Sequence, residues 1–257
     1  MNDTFRTTRG ELTVLGCLLA LGLIVGGWAL GAQIKAARLG DRYVSVRGLA
    51  ERTVKSDLAI WPLSYTETGD DLPSLYAKTE ADKKTILQFL NQQGIQSSEI
   101  ELGVVGVTDN QANEIKGKQS LHRYIVAQQI TVHSTRVDQV AAAAQRTISL
   151  LQEGIVLSQS GYNQGLTYKF NGLNSIKPDM ITEATRNART AAERFAQDAG
   201  SSVGTIRQAS QGVFSILPAN SGVPADSDDG GSYGNDADSS LMKTVRVVTQ
   251  VDYYLEK

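Results

Sequence analysis

Two histidines, a Gly-Lys pair, a run of aspartates and a lone cysteine are the side chains of this sequence whose types invite chemistry. His122 and His133 lie in one stretch of strand character, eleven positions apart. Successive strand residues point to opposite faces, so an odd separation denies the two imidazoles a shared metal. No Ser-His-acid spacing surrounds either of them. Gly117-Lys118 has the ending of a phosphate loop, but Ala112 stands where the pattern needs its first glycine and Gln119 replaces the Ser or Thr. Asp226, Asp228 and Asp229 begin a calcium-loop spacing that fails at Gly230 and Ala237, so the acidic run reads as a solvated insertion, with a ligand-binding or sensing module using this Asp-rich loop or an adjacent groove as the alternative function. Cys17 is the only cysteine and lies in an apolar stretch. The rest of the chain therefore has no intrachain disulfide, cysteine zinc site or thiol nucleophile. The sequence predicts no catalytic residue, no cofactor-binding residue, no cofactor and no metal ligand.

Bulk composition narrows the function classes further. Charged side chains make up 20% of the 257 residues and nearly balance, for a net charge of -2. Without a basic excess the electrostatic footprint of a nucleic-acid binder is missing, so no nucleic-acid partner is expected. An apolar share of 41% with 6% aromatic residues is that of a globular chain and not a disordered one.

The N-terminal part points to a membrane. Leu12–Leu30 reads LTVLGCLLALGLIVGGWAL and carries no charge. Crossing a hydrocarbon core of about 30 Å as a helix takes roughly 20 apolar residues. Residues 12–34 are expected to be a single-pass anchor in the inner (cytoplasmic) membrane, behind a short basic tail, 1–11, that holds Arg6 and Arg9. The alternative is a signal segment cleaved near Ala29-Leu30-Gly31, leaving a periplasmic protein. Lys35, Arg38, Arg42 and Arg47 outnumber the basic residues of the tail and by the positive-inside rule favour a cytoplasmic domain, whereas the short tail argues the reverse. Charge alone leaves the orientation open. Cys17 is no lipid-attachment site, because most of the apolar run follows it.

Residues 41–257 have the length of one domain. Strand alternation marks Asp41–Ala50 and Leu58–Thr66, with Pro62 placing the second at an edge or a bulge. Leu72–Gln93 is a helix with Asp71 as N-cap and Gly94 at its end. Its buried stripe is Leu75, Thr79, Ile86 and Leu90, joined by Tyr76 and Leu87, and its solvated charges are Glu80, Asp82, Lys83 and Lys84. Ile100–Thr108 changes register at its glycines, the mark of a bulge, and precedes a long strand, Leu121–His133. A second helix follows at Val137–Glu153, with Val137, Val140, Ala141, Ala144, Ile148 and Leu151 inward. Ile155–Ser158 and Leu166–Phe170 are short strands. The third helix, Pro178–Ala199, turns Met180, Ala184, Ala188, Ala191, Phe195 and Ala199 inward. Val203–Phe214 is extended, residues 216–240 form a flexible Asp/Gly-rich loop, and Leu241–Leu255 is a long strand central to the sheet. This order predicts an α+β fold: an antiparallel β-sheet with about three helices on one face, strand pairs alternating with helices.

With these elements placed, the chain resembles the SIMPL-domain family. The similarity runs from Tyr43 to Leu255 and rests on Val44-Ser45-Val46-Arg47-Gly48, then Ser56-Asp57-Leu58-Ala59-Ile60, where Ser56 replaces the family's usual proline. It continues in Tyr124-Ile125-Val126-Ala127. It ends in the alanine-repeated helix of Ala184, Ala188-Arg189, Ala192 and Ala196 with Gly200 and Val203-Gly204. The resemblance implies an exported domain outside the cytoplasm, oligomeric assembly, and roles in stress or signalling without an established enzymatic activity. It supplies no active site. Asp57 is the residue a functional reading would choose, and a strand-end turn or cap explains it equally well.

Overall fold

The computed structural model describes residues 16–28, 42–112, 121–158, 165–219 and 238–256. Residues 16–28 form helix α1, exposed along its whole length. Among the described residues no helix is long and apolar enough to cross a membrane. The remaining ends of the 12–34 stretch, residues 12–15 and 29–34, lie outside the described residues, as do 220–237 of the Asp-rich loop.

In chain order the domain runs β1 (Tyr43–Lys55), β2 (Leu58–Gly69), α2 (Leu72–Gln92), β3 (Ile100–Leu102), β4 (Gly106–Asp109), β5 (Tyr124–Ser134), α3 (Val137–Ala144), α4 (Ile148–Gln152), β6 (Thr167–Lys169), α5 (Leu173–Asp198), β7 (Ser202–Gln211), β8 (Ser215–Pro218) and β9 (Met242–Glu256). It is an α+β fold with antiparallel pairing. The sequence predicts one sheet; the strands form two, in the orders β1-β9-β7 with β8 also on β9, and β3-β5-β2-β6 with β4 also on β5. The reason is the Ser56-Asp57 turn. It joins two consecutive strands that take different partners, β9 for β1 and β5 for β2.

Two compact units result. One comprises Met1–Leu49, Ala184–Gly212 and Val248–Lys257, the other Ala50–Glu183 and Val213–Val247. In the larger unit β2 and β5 pair without interruption from Ala59↔Ser134 to Gly69↔Tyr124. Alternate β2 residues Ala59, Trp61, Leu63 and Tyr65 are buried with Ile130 and Val132 of β5 and with Ile86, Phe89 and Leu90 of α2. Pro62 breaks no register. β6 reaches only Leu58–Ile60, so Pro62 meets a strand on one side alone, as a residue without an N–H should. Leu102 pairs with Ile130 and Gly106 with Ala127. Four steps on one strand against three on the other are the one-residue bulge expected at the glycines.

Several helix boundaries differ from expectation, each for a local reason. Val137–Glu153 is not one helix: a turn at Gln145–Thr147 separates α3 from α4. There the Thr147 hydroxyl donates to the Ala144 carbonyl at 3.0 Å, competing with the helical pattern. The break resets the phase, so Leu150 is buried while Ile148 and Leu151 are exposed. Ile155–Ser158 supplies only a bridge from Leu157 to Tyr65. Helix α5 starts at Leu173 and carries Pro178 inside its second turn. Pro218 and its neighbours back to Ser215 are strand on β9, not loop.

In the smaller unit α5 turns Ala184, Ala188, Ala192 and Ala196 inward, a strict i+4 ridge. The expected switch to Ala191, Phe195 and Ala199 does not occur, and Phe195 is 60% exposed. Alanines leave no side chain to interdigitate, so the helix lies close on Val46, Val251 and Tyr253 and its smallest row faces them. Gly94, Gly154 and Gly200 end α2, α4 and α5 at positive φ, where a Cβ would be strained. After α5 the Ser201 N–H donates back to the Ala196 carbonyl at 2.8 Å, closing the helix end. β9 is central, as its clean alternation predicts, and buries Val245, Val247, Thr249, Val251 and Tyr253.

Candidate functional site

Among the described residues, those whose types invite chemistry do not converge. His122 precedes β5, and its Nδ1 lies 3.4 Å from Asp70 Oδ2. His133 is on β5, and its Nε2 lies 3.1 Å from Glu101 Oε2. Each imidazole thus has its own carboxylate. Among the described residues no three His, Cys, Asp or Glu side chains gather as a metal site. Gly117-Lys118 and Asp226 to Asp236 fall outside the described residues; Asp238 is described and pairs with Lys169. Asp70 also accepts the Arg123 N–H at 2.9 Å, and that bond, with His122, holds its carboxyl below the usual range. Arg123 in turn grips Asp109 through its Nε and Nη2 at 3.1–3.4 Å. These contacts fasten the start of β5.

Asp57 has a definite role. It sits in the turn between β1 and β2, and its Oδ2 accepts the N–H groups of Asn171 and Gly172, each at 2.9 Å. Gly172 immediately precedes α5, so Asp57 caps that helix from far away in the chain. The first N–H groups of a helix have no internal partner, and a carboxylate satisfies both their hydrogen-bonding need and the positive end of the helix dipole. Asp57→Ala is expected to cost about 1 kcal/mol, as a lost N-cap does, with Asp57→Asn keeping part of it. Paired urea titrations check this; equal midpoints for wild type and Asp57→Ala would remove the capping role.

One concave feature of the described residues is a groove between the C-terminal half of α2 and β3. Leu87, Gln88, Asn91, Gln92, Ile95, Ser97, Ile100 and Leu102 line about 510 Å³. Its lining joins four apolar side chains to three amides and a hydroxyl, and among the described residues no ionisable side chain lines it. Leu87 and Gln88 face it because α2 already spends Ile86, Phe89 and Leu90 on the core. Along the border, Leu102 is 51%, Val104 94% and Val107 54% exposed. Such a lining favours shape and apolar surface, with the Ser97 hydroxyl and the amides as its polar groups. Below it, Glu99 anchors the segment: it accepts the Ser134 hydroxyl at 2.6 Å and the Gln96 N–H at 2.8 Å, and pairs with Arg136. Burial pushes its carboxyl up, yet these donors together hold it below the ordinary value.

Residues 44–253 match the family model SIMPL, described as a protein of unknown function (DUF541). The chain belongs to the SIMPL family. No curated protein matches it. The SIMPL match includes β1 through most of β9, so both units belong to it. Within it the structure places Gly48 and the alanine ridge together, and Asp57 at the start of α5. Sequence reasoning missed the groove. Its only linear signal was the apolar Ile100–Leu102 strand, whose Leu102 stays half exposed although it pairs with the buried Ile130.

Proposed function

We propose that this SIMPL protein is a non-catalytic domain, tethered to the inner membrane through residues 12–34 and held on its periplasmic side, that assembles with copies of itself and supports envelope and stress functions. The observation that carries the assembly is the bare apolar border of Leu102, Val104 and Val107 beside the groove. Soluble domains seldom leave such a row uncovered unless a partner uses it. The tether is supported by the uncharged Leu12–Leu30 run and by α1, whose Leu18, Leu19, Leu21, Leu23, Ile24 and Trp28 are all exposed. Apolar side chains on every side suit lipid better than water.

The test is light scattering of the full chain in detergent micelles. Wild type is expected to run as a multimer, and the double variant Val104→Asp, Val107→Lys to shift toward monomer. A wild type that stays monomeric at high concentration overturns assembly. A second reading, a ligand-binding or sensing module, is favoured by the groove's size: about 510 Å³ falls within the range of small-molecule sites. Saturable one-to-one uptake of a fluorescent apolar probe by monomeric protein would favour that reading over self-assembly.

A further inference from the structure

Helix α5 covers one face of the β1-β9-β7 sheet, packing its alanines on Val46, Val251 and Tyr253. Alternation gives the residues of the other face: Tyr43, Ser45 and Arg47 on β1, and Gln250, Asp252 and Tyr254 on β9. Gln250 Nε2 donates to the Ser45 hydroxyl oxygen at 3.3 Å, so the two strands do share this face. Arg207 reaches it from β7, on the far side of β9, and its guanidinium carbon stands 4.1 Å from the centre of the Tyr43 ring. A bulge aims it there. Ile206 pairs with Tyr253 and Gln208 with Asp252, which makes Arg207 the extra residue on its strand. Tyr43 is 47% exposed, and Arg42, Arg47 and Arg207 are exposed with it.

Building on the reading of residues 12–34 as a tether, we propose that this face docks on the bilayer, with Tyr43 and its arginines engaging the phosphates of anionic lipid headgroups.

Chain length argues for lipid as the occupant. Ile34, the last residue of the tether, and Tyr43 are nine residue steps apart, at most about 32 Å when fully extended. The Tyr43 end of the sheet is therefore held beside the bilayer at an effective concentration on the order of millimolar, where contacts too weak to recruit a free protein stay engaged. Charge agrees. The exposed arginines 42, 47 and 207 face one exposed acid at this end, Glu256, while Asp252 is half-buried. Further along β1, Glu51 pairs with Arg246 at 3.7 Å. The stacked Arg207 suits a phosphate: Tyr43 holds its planar fork in place, so little freedom is lost when its N–H groups meet phosphate oxygens. Tyrosine is also a side chain favoured at headgroup depth.

The test uses the full chain with Cys17→Ser and one introduced thiol, either Ser45→Cys on this face or Thr190→Cys on the exposed side of α5. A membrane-impermeant maleimide reads the accessibility of each. In vesicles of equal parts phosphatidylglycerol and phosphatidylcholine, the labelling rate of Ser45→Cys relative to Thr190→Cys is expected to fall about tenfold or more below its value in detergent micelles. Adding Arg47→Gln or Arg207→Gln should each restore labelling about fivefold. The same rate ratio in vesicles and micelles overturns the docking, as does protection that neither arginine variant relieves. A ratio already low in micelles overturns it too, because a second copy of the chain then covers the face. Flotation with the vesicles reads the tether separately. A chain that floats while Ser45→Cys stays reactive loses the headgroup contact alone; a chain that does not float loses the tether as well.

Discussion

Gly48→Ala should cost the domain about 3 kcal/mol or more and lower its melting temperature by roughly 6–12 °C. A Cβ at this position would stand 1.9 Å from the Ala184 carbonyl oxygen and 2.6 Å from the Ala188 nitrogen. Both are backbone atoms of α5, so no rotamer change relieves the overlap and the helix itself must lift from β1. Lifting it uncovers the ridge of Ala188 and Ala192 from Val46, Val251 and Tyr253, and lengthens the 2.8 Å bond from Asn187 Nδ2 to the Leu49 carbonyl. Ala184→Gly is expected to give no rescue, because the obstacle is the carbonyl and not the methyl. Gly204→Ala is the matched control. There the added carbon meets only the Glu256 side chain, at 2.5–3.0 Å, and that side chain can swing away. Thermal melts of the three variants decide the matter: a Gly48→Ala melt within 2 °C of the Gly204→Ala control would show that α5 yields easily and that the close approach is incidental.

Tyr65→Ala is expected to remove about 3–5 kcal/mol, and Tyr65→Phe about 1–3 kcal/mol, from the larger unit. The ring is buried in the core between β2, β5 and α2, so deleting it leaves a cavity that α2 and the sheet cannot both collapse to fill. The hydroxyl contributes separately. It donates to Gln128 Oε1 at 2.6 Å and lies 3.3 Å from the Thr79 carbonyl, at a site where Gln128 is itself buried. Phenylalanine keeps the packing and strands that amide oxygen. Burial first, then the nearby carboxylates Asp82, Glu80 and Glu67, hold the phenol above its ordinary value, so it remains a donor across the physiological range. Chemical denaturation reads both losses. If Tyr65→Phe matched wild type, the hydroxyl would be dispensable and Gln128 would have to find another donor.

These sites differ in how far the sequence announces them. Local chemistry was readable: the Asp71 cap, the glycines that end α2, α4 and α5, the bulge between β3 and β4, and the alternation that marks β9. The first half of the α5 ridge was legible too, through Met180, Ala184 and Ala188. What the pattern hid depends on partners distant in the chain. Nothing near Ser56 shows that β1 and β2 part company into different sheets. Alanines at 191 and 192 are interchangeable to a periodicity argument, and only the surface they meet decides between them. The groove was illegible because it is a space, shaped by what α2 and β3 leave unfilled. Asp57 was correctly marked as a residue of interest, and its double role in the turn and at the start of α5 is the capping alternative made concrete.

The position of β9 sets a timetable. β1, β7 and β8 all hydrogen-bond through this one strand, and it is the last of the strands to be synthesised. Roughly 190 residues separate it from the end of β1, about 10–40 s of translation at ordinary elongation rates. Until then β1 has no partner, and the sheet of β2 and β5 can close first. The nascent chain therefore carries the Val44 and Val46 strand unpaired until β9 emerges, and completion of this sheet is a single late event.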